Sequence, residues 1–423
     1  MLKRTMGSLL FIVLLAGVLA PAAAAGEEEI LTLEKAQDLA LANSPLLKLS
    51  ELEYQEKSYA ASAASNAYRD LQKDIRSANY GLRDAARWRE RLSEDLRTIE
   101  DEDKEPLKNI YRQELRLIGE TVRVIEDSID SLISARREQE YRADLAGAEK
   151  ARARQLLEDR KLTLARNVEA KYYNLLLLDQ HYKNLQERLA ELVDLQRVED
   201  LRVSLGLSTP FNRAAIGAEA ENMGQLIREY STLRRLARQE FNALLGRDLD
   251  APLHLSEDIE IKTEPVPHPG TSSRYVDNSS TRRILREQIK VQEERLRNLA
   301  EEHSKGDPEY HQVQKNLERL QLEYEQAADS LRTAITAAYN RVREARANLR
   351  SREAQHKLAQ EQLRIARLQH EAGLVTNQEV RAKENEAREA ETLYRQAAYD
   401  LNLAVTDYNL ALEGIDMAPL PTS

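Results

Sequence analysis

At 423 residues the chain is long enough to bury a large globular core, yet 32% of it is charged, 5% is aromatic, and it has only three Phe and one Trp. That composition excludes a single globular core and favours long helices and coiled coils, because Ala, Leu, Glu, Arg and Gln lose little side-chain freedom in a helix. A net charge of −10 argues against nucleic acid as a partner, and the absence of cysteine excludes disulfides, thiolate metal sites and thiol nucleophiles.

The first 25 residues stand apart: Lys3 and Arg4, an apolar run from Leu9 to Leu19, then Pro21 and Ala22 to Ala25. They read as a signal peptide with a cleavage site at Ala23-x-Ala25, so the mature chain is expected to begin near Gly26. Losing the two positive charges Lys3 and Arg4 takes the net charge from −10 to −12. An uncleaved membrane anchor is the alternative, and in either case the body of the chain is exported to the cell envelope. No later segment is apolar enough to span a bilayer as a helix.

Prolines outline the body, since an interior proline removes a helix hydrogen bond and clashes with the preceding turn. They fall at Pro45, Pro106, Pro210, Pro252, the group Pro265, Pro267 and Pro269, and Pro308, leaving long uninterrupted stretches between them. Those stretches carry heptad seams. Leu71, Ile75, Ala78, Leu82 and Ala85 form one, and Tyr111, Leu115, Ile118, Val122, Ile125, Ile129 and Leu132 another. Further seams run through Leu175 to Leu192 and Leu317 to Ala338. A helix over residues 108–204 would be about 145 Å long at about 1.5 Å per residue.

Punctuation marks the ends. Ser44-Pro45, Thr209-Pro210 and Asp307-Pro308 put a capping residue before a proline, and Thr376-Asn-Gln-Glu379 reads as a capping box. Gly206, Gly246, Gly373 and Gly414 supply the left-handed residue that closes a helix. The order repeats: Tyr173-Asn174, a heptad run, Gly206-Leu207-Ser208-Thr209, a helix and Gly246 are matched by Tyr339-Asn340, Gly373-Leu374-Val375-Thr376 and Gly414. The two turn glycines are 167 residues apart and the two terminal glycines 168, which predicts an internal duplication. The expected organisation is a first helical-hairpin repeat over 26–250, a linker over 251–278, a second repeat over 279–416 and a disordered tail over 417–423. Within the linker, Leu253, Leu255, Ile259 and Ile261 alternate and leave room for one short strand.

Two long hairpins per chain, an exported precursor and Gly-Leu turns at equivalent places resemble the TolC-like outer-membrane efflux family. The opening Leu31-Thr-Leu-Glu-Lys-Ala-Gln-Asp-Leu-Ala-Leu-Ala-Asn-Ser-Pro45 is similar to that family's first helix. The turns Val203-Ser-Leu-Gly-Leu-Ser-Thr-Pro-Phe-Asn212 and His370-Glu-Ala-Gly-Leu-Val-Thr-Asn-Gln-Glu-Val380 resemble its periplasmic tips. The resemblance implies an all-α chain that trimerises into a tunnel. It also implies a periplasmic adaptor (membrane-fusion) protein and an inner-membrane pump as partners in efflux or type I secretion. Adaptor-docking tips then fall on Leu205, Gly206, Leu207 and Ser208 and on Gly373, Leu374, Val375 and Thr376. Glu379 sits where the family has an entrance acid, but the position three residues on is Ala382, and the capping box offers Glu379 a second role. A leucine beside a glycine cap has a second role too, packing back onto its own helix.

One departure matters. The family interrupts each hairpin with barrel strands, whereas here residues 65–166 are heptad-like on both sides of Asp101-Glu-Asp-Lys-Glu-Pro106, and Ser304-Lys-Gly-Asp-Pro308 is another polar turn. Helical hairpins are expected where the strands would be, so a soluble extracytoplasmic scaffold or spacer is the alternative function. No enzyme constellation emerges. His303 and His311 flank a turn without metal-ligand spacing, no phosphate-binding glycine loop occurs, and no cofactor is implied.

Overall fold

The computed structural model describes residues 30–99, 104–302 and 307–415. The signal peptide, the tail, His303 and most of both polar turns lie outside those residues. The described residues form seven α-helices: α1 Leu33–Asn43, α2 Pro45–Thr98, α3 Glu105–Ser204, α4 Pro210–Leu244, α5 Ser280–Glu302, α6 Pro308–Glu371 and α7 Asn377–Leu412. With 100 residues, α3 is about 150 Å long at about 1.5 Å per residue.

Proline at the first turn opens α2, α3, α4 and α6, where its missing N–H costs nothing. Thr209 accepts a hydrogen bond from the Asn212 N–H and Asp307 one from the Glu309 N–H, each satisfying an orphan donor of its helix. Ser44 departs from the expected pattern. Its side chain makes no cap hydrogen bond, and its N–H instead donates to the Ala40 carbonyl at 2.9 Å, so this buried serine is the corner joining α1 to α2.

The helices lie in one layer around α3. Along its first half α3 is flanked by α2 and α5, along its second half by α4 and α7, and α6 packs on the far side of α5 and α7. Cross-helix bonds fix the register: Tyr68 to Glu140 at 2.9 Å joins α2 to α3, Arg234 to Asp179 at 2.6 Å joins α4 to α3, and Asn184 to Thr392 at 2.9 Å joins α3 to α7. The layer therefore has two open edges, one made by α2 and α4 and the other by α6. Among the described residues no helix is long and apolar enough to cross a membrane.

The core concentrates at a waist where the linker crosses the layer. The alternating residues of the linker form no strand. A single parallel bridge pairs Leu255 with Leu31, and beyond it the backbone bonds to side chains rather than to a second chain segment. Leu253 is buried with Leu31, Tyr172, Phe241 and Leu245, while Ile261 and Val266 pack on the second cluster around Ile335, Leu401 and Tyr408. The Tyr172 hydroxyl lies 2.9 and 2.8 Å from the carbonyls of Leu31 and Ser256, and burial pushes its pKa up to about 12. Asn402 takes the Lys262 N–H at 2.8 Å and donates to the Glu260 carbonyl at 2.8 Å and the Tyr173 hydroxyl at 3.0 Å. Glu169, almost wholly buried, is satisfied by Tyr173, Lys262 and Thr406. Arg166 and Asp407 close the network with a bidentate pair at 2.7 and 3.0 Å. Every polar group in this list has a partner, as the low-dielectric interior requires.

Candidate functional site

At one end of the layer, α3 turns into α4 and α6 turns into α7. Both turns have the same backbone. After α3 the Gly206 N–H bonds to the Val203 carbonyl at 3.0 Å and the Leu207 N–H to the Arg202 carbonyl at 2.8 Å. After α6 the Gly373 N–H bonds to His370 at 2.9 Å and the Leu374 N–H to Gln369 at 2.8 Å. This is the paired 6→1 and 5→2 pattern that ends a helix on a left-handed residue, and φ is 72° at Gly206 and 70° at Gly373.

The two turns lie side by side. Arg381, in the second turn of α7, pairs with Asp194 of α3 at 3.6 Å, and Arg388 pairs with Glu191 at 2.9 Å. Running this antiparallel register outward puts the start of α7 beside the last turns of α3, so both tips project from the same end.

Exposure decides what the tip leucines do. In this motif the residue after glycine ordinarily packs back on the helix, and Ile415, which follows Gly414, is buried with 6% exposure. Leu207 is 70% exposed and Leu374 is 75% exposed, so neither packs back. Leu205 stands exposed beside them. The remaining tip residues hold the turns. The Ser208 hydroxyl donates to the buried Glu199 carboxylate and accepts from the Asn212 side chain at 3.2 Å. Val375 is half-buried, and its carbonyl lies 3.0 Å from the His370 ring nitrogen.

Thr376 and Glu379 form a reciprocal capping box. The Glu379 N–H donates to the Thr376 hydroxyl at 3.3 Å, and the Glu379 carboxylate accepts the Thr376 N–H at 2.6 Å and its hydroxyl at 3.0 Å. These bonds from the Thr376 backbone and hydroxyl hold the carboxyl below the usual range. Glu379 thereby helps to start α7.

Two exposed apolar residues beside the first tip escaped sequence reasoning: Leu201 one turn before Leu205, and Phe211 after Pro210, 79% exposed. For Leu201 the available signal was its place off the heptad seam that runs through Leu175 to Leu192. Among the described residues no group of three or more His, Asp or Glu could hold a metal ion.

No protein-family model matches the sequence, and no curated protein matches it. Solved structures do match. A membrane protein from Pseudomonas aeruginosa superposes with a TM-score of 0.58 at 12% identity, over 90% of this chain and 90% of that one. The CmeC outer membrane channel of Campylobacter jejuni gives 0.54 at 14% identity, over 93% of this chain and 91% of that one. The chain has the TolC-like fold. The open-state MtrE outer membrane channel of Neisseria gonorrhoeae repeats the finding, with 0.54 at 13% identity over 90% and 89% of the two chains. Residues 65–98 and 105–166 are helical, in α2 and α3, and among the described residues there is no β-strand.

Proposed function

We propose that three copies of this chain close their layers edge to edge into an α-helical tube in the cell envelope. The tube serves an efflux or type I secretion route by docking a periplasmic membrane-fusion adaptor, linked to an inner-membrane pump, on its tips. The observation that carries this reading is the pair of leucines, Leu207 and Leu374, held outward on rigid glycine turns at one end of the molecule. Full burial of a leucine is worth about 1.5–3 kcal/mol, and a ring of three copies presents six. A fixed turn adds little ordering cost when a partner covers it, so the exposed area converts efficiently into affinity. The two open edges of the layer support the ring, with α6 of one copy meeting α2 and α4 of the next.

A soluble scaffold or spacer is the second reading, favoured by helices α2 and α3 standing where barrel strands would be. Light scattering coupled to size exclusion in detergent-free buffer separates the two. A three-chain mass supports the tube, and a monomer supports the scaffold. For docking, the variant Leu207→Asp with Leu374→Asp should lose binding to the purified adaptor from the same cell by more than tenfold, with its helical circular dichroism unchanged. Undiminished binding would remove the tips as the docking site.

A further inference from the structure

The end opposite the tips is uneven. Helix α5 runs antiparallel to α3, with Ser280 bonded to Asp159 at 2.8 Å, Arg295 to Glu138 at 3.3 Å and Glu301 facing Arg137 at 3.9 Å. The last turn of α5 thus lies level with residue 137 of α3, while α3 itself begins at Glu105. For roughly 30 residues, about 45 Å at about 1.5 Å per residue, α3 continues with α2 as its sole companion helix among the described residues.

The flank of α3 that receives α5 does not end with α5. Glu138, Leu145 and Asp159 face α5 or share a cleft with its Val291, and they occupy one heptad position, seven and fourteen residues apart. Stepping back in sevens along the same flank gives Ser131 and then Val124, Leu117 and Ile110, the three apolar residues all more than half exposed. A seven-residue apolar repeat is the imprint of a packed helix. Glu120 and Asp127 lie three residues past Leu117 and Val124 and are exposed.

Helix α2 offers a matching surface on its other edge. Its seam toward α3 is Leu71, Ile75, Ala78, Leu82, Ala85 and Leu92; half a turn away lie Lys73, Arg76, Tyr80, Arg83 and Arg87, all exposed. Continuing the antiparallel register set by Tyr68 and Glu140 places Tyr80 level with Ser128, beside Asp127, Arg83 level with Ile125, beside Val124, and Arg87 level with Thr121, beside Glu120. Rotation about a tube axis preserves these heights.

We propose that, in the three-chain ring, the bare flank of α3 beyond α5 is covered by α2 of the neighbouring copy. This rests on the ring reading above. Once α5 and α6 have ended, α2 of the next copy is the next element around the ring, and its basic edge meets the acidic and apolar flank of α3 at matching levels. Glu120 now pairs with Arg116 at 3.2 Å, Arg87 with Asp84 at 3.7 Å and Lys73 with Asp70 at 2.7 Å, all on the exposed surface, where such pairs are weak and exchange partners at little cost.

The consequence is a neck. Twelve helices at a spacing of about 10 Å enclose a ring about 38 Å across between axes, and six enclose one of about 19 Å. Subtracting about 10 Å for the helices themselves leaves bores of about 28 Å and about 9 Å. A neck of that width passes a small solute or a single extended chain, and stops a folded domain.

The chain has no cysteine, so introduced thiols report contacts cleanly. Arg83→Cys combined with Val124→Cys sits on opposite edges of one hairpin and cannot close within a chain, because a disulfide requires Cα atoms within about 7 Å. In the full mature protein, mild oxidation should join chains into covalent dimers and trimers, and neither single variant should crosslink. Three-chain particles that fail to crosslink would overturn the neck while leaving the ring intact. Crosslinking by either single variant would also overturn it, by showing like-edge pairing. A monomeric mass would remove the ring reading itself, and the neck with it.

Discussion

Among the described residues, four helices end on a left-handed glycine, and they divide into two pairs with the same backbone and opposite surroundings. At the tips, a Cβ added to Gly206 or Gly373 would meet nothing within 4 Å. At the waist, a Cβ on Gly246 would lie 2.6 Å from Asn43 Cβ, and one on Gly414 would lie 2.1 Å from the Asn278 carbonyl oxygen. One signal in the sequence therefore does two jobs. At the waist glycine is needed for its small size, because another segment is pressed against the turn; at the tips it is needed only for its left-handed conformation, which leaves the neighbouring leucines free to meet a partner.

Alanine substitution is the sharpest way to break this comparison. Gly206→Ala should cost only the left-handed penalty of about 1–2 kcal/mol. Gly414→Ala adds a backbone clash that side-chain motion cannot relieve, and should cost about 3 kcal/mol or more. Urea midpoints followed by circular dichroism measure both, and equal shifts would show that the waist is no more tightly packed than the tips. An effect of similar size belongs to Asp407→Ala. It strands Arg166, whose side chain is 8% exposed, and breaking a buried pair from one side costs about 3–5 kcal/mol. A urea midpoint near that of the parent would mean that water reaches the pair.

Much of this was legible beforehand, and the reasons are local. Proline at a first turn, glycine at a last one and heptad spacing act within a few residues, so the helix-rich fold and the tip turns could be read directly. What could not be read depends on distant partners. Ser44 carries a good capping side chain, but the tight corner between α1 and α2 takes its backbone instead. Nothing near Leu207 or Leu374 tells whether the side chain folds back or stands out, since both outcomes share one turn motif. Nothing next to Glu169 or Asn402 in the sequence marks them as buried; the crossing linker buries them, with Lys262, 93 residues from Glu169, supplying the counter-charge. The Leu253, Leu255, Ile259 and Ile261 alternation signalled burial on one side correctly, yet the segment lies on helices, so no ladder forms beyond Leu255.

The same contrast has a smaller, pH-dependent expression. Burial raises the Tyr172 pKa to about 12, from an ordinary value of 10, and raises those of Tyr173 and Tyr399 as well. A group whose folded pKa is raised contributes stability that is present below its unfolded pKa and is lost as pH rises through the folded one. For Tyr172 that window runs from about 10 to about 12, where the unfolded chain releases the proton and the folded waist keeps it. The thermal midpoint should therefore fall as pH rises from 9 toward 11. Tyr172→Phe should start from a lower midpoint, having lost its bonds to Leu31 and Ser256, but should fall less steeply. Absorbance at 295 nm should show fewer late-ionising phenols in that variant than in the parent. If the two slopes are equal, the waist is open to solvent at high pH, and the distinction between a packed middle and free tips fails at the place where it is most sharply drawn.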